Sequence, residues 1–177
     1  MAHVAVTAVG LDRPGIVAAV TKVLVEHGCN LEDTSMTILR GHFAMMLVVA
    51  APPDVDAPAL EASLAGAARD LVVTVRPIDE EAGEPSPAGE TWTVSVYGAD
   101  RPGIVYGVAS LLADLGVNIV DLTTRVIGEP AHPVYAMLLD VTIPPRVEAA
   151  ALQARLEALA ASLGVDCSLH PSEADIL

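Results

Sequence analysis

The stretch VGLDRPGIVAAV (Val9–Val20) returns 88 positions later as YGADRPGIVYGV (Tyr97–Val108). Six consecutive columns, Asp-Arg-Pro-Gly-Ile-Val, are identical, and Gly10 matches Gly98. Self-similarity at a fixed spacing defines the unit that folds. At the same offset HGCNLED (His27–Asp33) falls on LGVNIVD (Leu115–Asp121), which aligns Gly28 with Gly116, Asn30 with Asn118 and Asp33 with Asp121. The offset then grows to 92, where FAMMLVVAAPP (Phe43–Pro53) falls on YAMLLDVTIPP (Tyr135–Pro145). The second copy therefore carries four extra residues near IGEPAHP (Ile127–Pro133). Held at 92, the offset sets Leu60, Leu64 and Leu71 against Leu152, Leu156 and Leu163.

Each copy divides into six elements. HVAVTAV (His3–Val9) alternates as a half-buried strand does. Residues 14–27 place Ile16, Val17, Val20, Val23 and Leu24 on one helical stripe, and Gly28 closes the helix as its left-handed cap. Asn30–Leu39 is a second strand, Arg40-Gly41-His42 a tight turn, and Phe43–Ala50 an apolar central strand that Pro52-Pro53 ends. Asp54 or Asp56 caps a second helix carrying Leu60, Leu64, Ala67 and Leu71, and Val72–Ile78 is the last strand. The second copy repeats the order over 91–98, 102–115, 118–127, 134–143, 145–163 and 164–170. The expected class is α+β: two ferredoxin-like βαββαβ units, each a four-stranded antiparallel sheet with two helices on one face. The domains are 1–79 and 91–170. An acidic Pro/Gly linker spans 80–90, and 171–177 is a C-terminal tail.

Apolar residues make up 53% of the chain, enough for two cores, and aromatics only 3%, so Val, Leu, Ile, Ala and Met must fill them. The net charge is −14, with acids outnumbering bases in both halves. Without a basic face, direct nucleic-acid binding is disfavoured, because phosphate contacts supply most of that affinity. No apolar run reaches a membrane-spanning length. Cys29 and Cys167 align with Val117 and Val75, small apolar slots, which suits reduced thiols in the cytoplasm.

The repeated loop admits two readings. Asp12 can cap the first helical turn and Pro14 suits its first position, so capping alone explains much of it. Gly15 and Gly103 fit capping less well, since glycine weakens a helical turn but lets another group approach the backbone. The N–H groups of Gly15 and Ile16, at a helix N-terminus, suit a carboxylate or phosphate, and Asp12 beside them suits an amine. Asp100, Gly103 and Ile104 repeat the arrangement. Asn30 and Asn118 open the next strand, either as turn residues or as amides offered to a carboxylate across an interface with a neighbouring unit.

G-x-D-R-P-G-I-V, a helix, then G-x-N-[LI], on this element order, resembles the ACT domain. Two copies and little else resemble the glycine cleavage system transcriptional repressor family. The resemblance implies a regulatory protein that binds a small amino acid, glycine or serine in the first instance, at interfaces between units, near the loop after the first strand. The positions carried over are Asp12, Arg13, Pro14, Gly15, Ile16, Asn30 and Leu31, then Asp100, Arg101, Pro102, Gly103, Ile104, Asn118 and Ile119. His27 against Leu115 and Thr34 against Leu122 make the two sites unequal. A homodimer and a protein partner are expected. The alternative is an interaction scaffold without a small ligand. No enzyme is expected: none of His3, His27, His42, His132 and His170 recurs between the copies or sits at metal-ligand spacing. No catalytic residue, metal or cofactor is assigned.

Overall fold

The computed structural model describes residues 2–78, 89–128 and 133–172. They form two compact units. The first carries β1 (Ala2–Leu11), α1 (Ile16–Glu26), β2 (Asn30–Leu39), β3 (His42–Ala51), α2 (Ala57–Ala67) and β4 (Leu71–Pro77). The second carries β5 (Glu90–Gly98), α3 (Ile104–Asp114), β6 (Asn118–Ile127), β7 (Val134–Ile143), α4 (Ala149–Leu163) and β8 (Val165–Pro171). Each sheet is antiparallel, ordered β2-β3-β1-β4 and β6-β7-β5-β8. The βαββαβ class expected from the repeat is the observed one. β5 starts at Glu90, inside the expected linker, and β8 runs through Pro171, inside the expected tail. The rest of the linker, the extra residues 129–132 and the end of the tail lie outside the described residues.

The period-2 pattern decides which side of each sheet is covered. Val4, Val6 and Ala8 of β1 pair in register with Val49, Leu47 and Met45 of β3, and all six are buried. Ile16, Val20, Val23 and Leu24 of α1 and Leu60 and Leu64 of α2 close over that face in one cluster. The second unit repeats this with Val94, Val96, Leu139, Ile104, Leu112, Leu152 and Leu156. The other face of the first sheet keeps apolar residues in the open, Val9, Met46 and Val72 among them.

Gly10 and Gly98 match for a packing reason. A β-carbon on Gly10 would collide with the Asp70 carbonyl and the Leu71 side chain; one on Gly98 would collide with Val165. The end of β1 can thus lie tight against the start of β4, and β5 against β8. Both first helices end in the same motif: Gly28 at φ 67° with Cys29 N–H bonded to Leu24 O, and Gly116 at φ 69° with Val117 N–H bonded to Leu112 O. Arg40 and Gly41 form a two-residue turn with φ of 50° and 79°, whose twist suits a hairpin.

Some expectations need correction. Val17 is on the expected stripe but is 41% exposed, because it lies at the edge of the helix face that meets the sheet. Met46 belongs to the apolar central strand Phe43–Ala50, yet it points to the open face and is 53% exposed. α2 ends at Ala67, which is exposed; Ala68 is buried instead, and Leu71 opens β4. α4 runs to Leu163, so β4 and β8 align two residues further on than the offset of 92 implies. Cys167 therefore corresponds to Val73, not Val75. Leu64 is fully buried between α2 and the sheet. Leu64→Ala is expected to cost the first unit about 2–5 kcal/mol, seen as a lower urea midpoint in its unfolding transition.

Candidate functional site

The repeated loop starts its helix in an unusual way. Gly15 is the N-cap of α1 at φ 90°, and Gly103 is that of α3 at φ 97°, both left-handed. Neither cap receives a side-chain hydrogen bond. This overturns the capping expectation for Asp12 and Pro14. Pro14 and Pro102 sit in the turn before the cap, not at the first helical position. Asp12 instead uses its backbone N–H, which donates to the Gly41 carbonyl at 2.9 Å and ties the loop to the β2–β3 hairpin. Since Gly15 O already accepts from Ala19 N–H, the amides of Ile16, Val17 and Ala18 have no helical acceptor.

The arginines look away from the helix start. Arg13 Nε donates to Asp70 Oδ2 at 3.2 Å, and Arg101 Nη1 to Leu163 O at 3.5 Å. Arg13 reaches the turn between α2 and β4, and Arg101 reaches the last residue of α4, just before β8. Each braces the loop at that point; the exposed Arg13–Asp70 pair contributes little energy by itself.

Beside the loop lies a cleft of about 470 Å³. Asp12, Arg13, Gly15 and Ile16 line it. Five residues not foreseen complete the wall: Val17, Ala18 and Thr21 of α1, Met36 of β2 and Phe43 of β3. Phe43 and Ile16 are buried beneath, while Val17 and Met36 stay exposed. The i, i+4 spacing of Val17 and Thr21 was the available signal, but Val17 reads equally as core. Asp12's carboxylate makes no hydrogen bond among the described residues, and the uncapped amides add the positive end of a helix dipole.

Asn30 and Leu31 are not at this cleft. Asn30 pairs with Ala50 of β3, whereas Leu11, next to Asp12, pairs with His42. Eight residues of extended strand separate the two ends, roughly 27 Å. Asn118 and Asp100 stand at opposite ends of their sheet in the same way. Ile119 packs against the second core. A further cleft of about 430 Å³, lined by Trp92, Ile143, Pro144, Pro145 and Glu148, lies at the far end of β5 from Asp100.

The thiols are unsuited to nucleophilic work. Burial raises Cys29, and burial with the nearby Glu157 carboxylate pushes Cys167 up to about 11. Among the described residues no group of three or more His, Cys, Asp or Glu could hold a metal ion, and no helix is long and apolar enough to cross a membrane.

A β-carbon on Gly15 or Gly103 would meet nothing within 4 Å, so only backbone strain opposes one. Gly15→Ala is expected to cost about 1–2 kcal/mol, the price of a non-glycine residue in the left-handed region. Urea unfolding measures it, and an unchanged midpoint would mean that the cap had relaxed to another conformation.

The chain matches the ACT domain family model over residues 2–77 and again over 90–170. It is 28% identical over 174 residues to the glycine cleavage system transcriptional repressor of Escherichia coli, covering 95% of this chain and 89% of that one. It is 33% identical over 173 residues to phosphoserine phosphatase SerB2 of Mycobacterium tuberculosis, but that match spans only 40% of the phosphatase. A crystal structure of an unknown protein from Galdieria sulphuraria superposes with a TM-score of 0.84 at 28% identity, covering 97% of this chain and 99% of that one. With two family matches spanning nearly all of its length, each on a βαββαβ unit, the chain belongs to the ACT domain family.

Proposed function

We propose that this chain is a non-enzymatic regulatory protein that senses an amino acid and passes the signal to a protein partner. The observation that carries this reading is the cleft beside Gly15, where an unbonded carboxylate and an uncapped helix N-terminus stand together over an apolar floor. An α-amino acid has the complementary ends. Its ammonium group would pair with Asp12 and its carboxylate would accept from the amides of Ile16 and Val17. The kinship with a transcriptional repressor supports regulation, and the net charge of −14 favours action through a partner over direct nucleic-acid binding.

The distance between Asn30 and Asp12 gives the ligand a second task. All ten residues of β2 are exposed at the edge of the sheet. Antiparallel pairing of this edge with β2 of a second copy would bring that copy's Asn30 end against the Leu39 end here, next to the Asp12–Ile16 loop. An amino acid held there would touch both copies. It would then favour the dimer by mass action, a change that a partner can read.

Titration calorimetry with the set of natural amino acids tests the sensing, with light scattering on the same samples. Saturable heat is expected for at least one amino acid, with the dimer fraction rising as it binds. Asn30→Ala is expected to weaken binding about tenfold, the loss of one hydrogen bond to a charged group, with no change in melting temperature. The exposed β2 also supports the second reading, an interaction scaffold without a small ligand. A dimer whose mass and melting temperature ignore every amino acid at millimolar concentration would decide for that scaffold.

A further inference from the structure

We infer that the cleft of the first unit selects an amino acid with an aliphatic side chain, and that the second unit does not share this site. The inference rests on the amino-acid reading above and deepens it. Once Asp12 and the first-turn amides hold the ammonium and carboxylate groups, the remaining wall meets the side chain. That wall is Val17, Ala18, Met36 and Phe43. Its polar members, Thr21 and Arg13, are partly engaged. Thr21 Oγ1 donates to Val17 O at 2.8 Å, and Arg13 is turned to Asp70. Apart from the outer nitrogens of Arg13 and the lone pairs of the Thr21 hydroxyl, the side chains of the wall offer a polar group no partner. Val17 and Met36 are large apolar groups left 41% and 47% exposed, one on the helix and one on the edge strand. A branched aliphatic group between them would take both from water, whereas glycine or serine would leave most of the wall wet. Glycine and serine thus fit the chemistry of the loop but not that of the wall.

The second unit has a different wall. Tyr106 stands where the first unit has Ala18, Ala109 where it has Thr21, Thr124 where it has Met36 and Tyr135 where it has Phe43. The apolar residue on the edge strand is gone, and a bulky phenol, 78% exposed, stands on the helix beside the loop. The Asp-Arg-Pro-Gly-Ile-Val loop is kept, but the side-chain pocket is not.

The test compares leucine, isoleucine, valine and methionine with glycine and serine by titration calorimetry on the full chain. The best aliphatic ligand is expected to bind at least roughly tenfold more tightly than glycine, with one site per chain. Ala18→Tyr and Met36→Thr, which carry the second unit's residues into exposed positions of the first, are expected to remove the preference without lowering the melting temperature. Tyr106→Ala is expected to leave the affinity at the first site unchanged. Glycine or serine binding as tightly as leucine would overturn the aliphatic assignment while leaving amino-acid sensing intact. Two equivalent sites per chain, or an affinity indifferent to Ala18→Tyr, would overturn the restriction to the first unit. Binding by no amino acid at all would overturn the sensing itself.

Discussion

A left-handed glycine at the start of the first helix is the constraint on which both units turn. At φ near 90° the chain reverses from β1 into α1 within the four residues Asp12–Gly15, and from β5 into α3 within the five residues Ala99–Gly103. No residue with a β-carbon makes that turn without strain. Proline before the glycine sits in the same turn and limits the alternatives open to the unfolded loop. Because the reversal is made by backbone geometry, no side chain is needed as a cap. The first-turn amides are consequently left to solvent or to a ligand, so one local feature both sets the fold and opens the site.

Around that turn the other contacts act as braces. The Asp12 amide holds the β2–β3 hairpin, Arg13 holds the turn between α2 and β4, and Arg101 holds the end of α4. Gly10 and Gly98 let the neighbouring strand come close enough for those reaches. Gly10, Asp12, Arg13 and Gly15 thus have structural work in the isolated unit. Their recurrence cannot by itself separate binding from folding. The separation comes from the wall of the cleft, where the two copies diverge while the loop does not.

The sequence made the elements legible because both cores follow simple periods. Alternation in β1 and β3 and the Ile16–Leu24 stripe carried enough signal to place the layers. Asn30–Leu39, Asn118–Ile127 and Val134–Ile143 were delimited as they occur. The site was less legible. Val17 is apolar and in register with core positions, and only the finite width of the helix layer leaves it exposed; Met46 is exposed because strand alternation turns it to the open face of the sheet. The cap was misread because aspartate and proline before a helix ordinarily cap it, and a left-handed glycine in that place makes the cap redundant. The longer α4 shifted the last strand because a helix extends in steps that apolar periodicity tolerates.

The sequence by itself determined that two copies of one βαββαβ unit exist and which loop they share. Those properties reside in local periodicity and in residue identities that repeat. Only the tertiary structure decided that Asp12 and Asn30 stand at opposite ends of a sheet, because strand order and register are set by packing between residues far apart in the chain. It also decided that Val17 faces Met36 across a cleft. A helix and an edge strand that share no sequence neighbourhood form that wall, and its chemistry is visible only when both are in place.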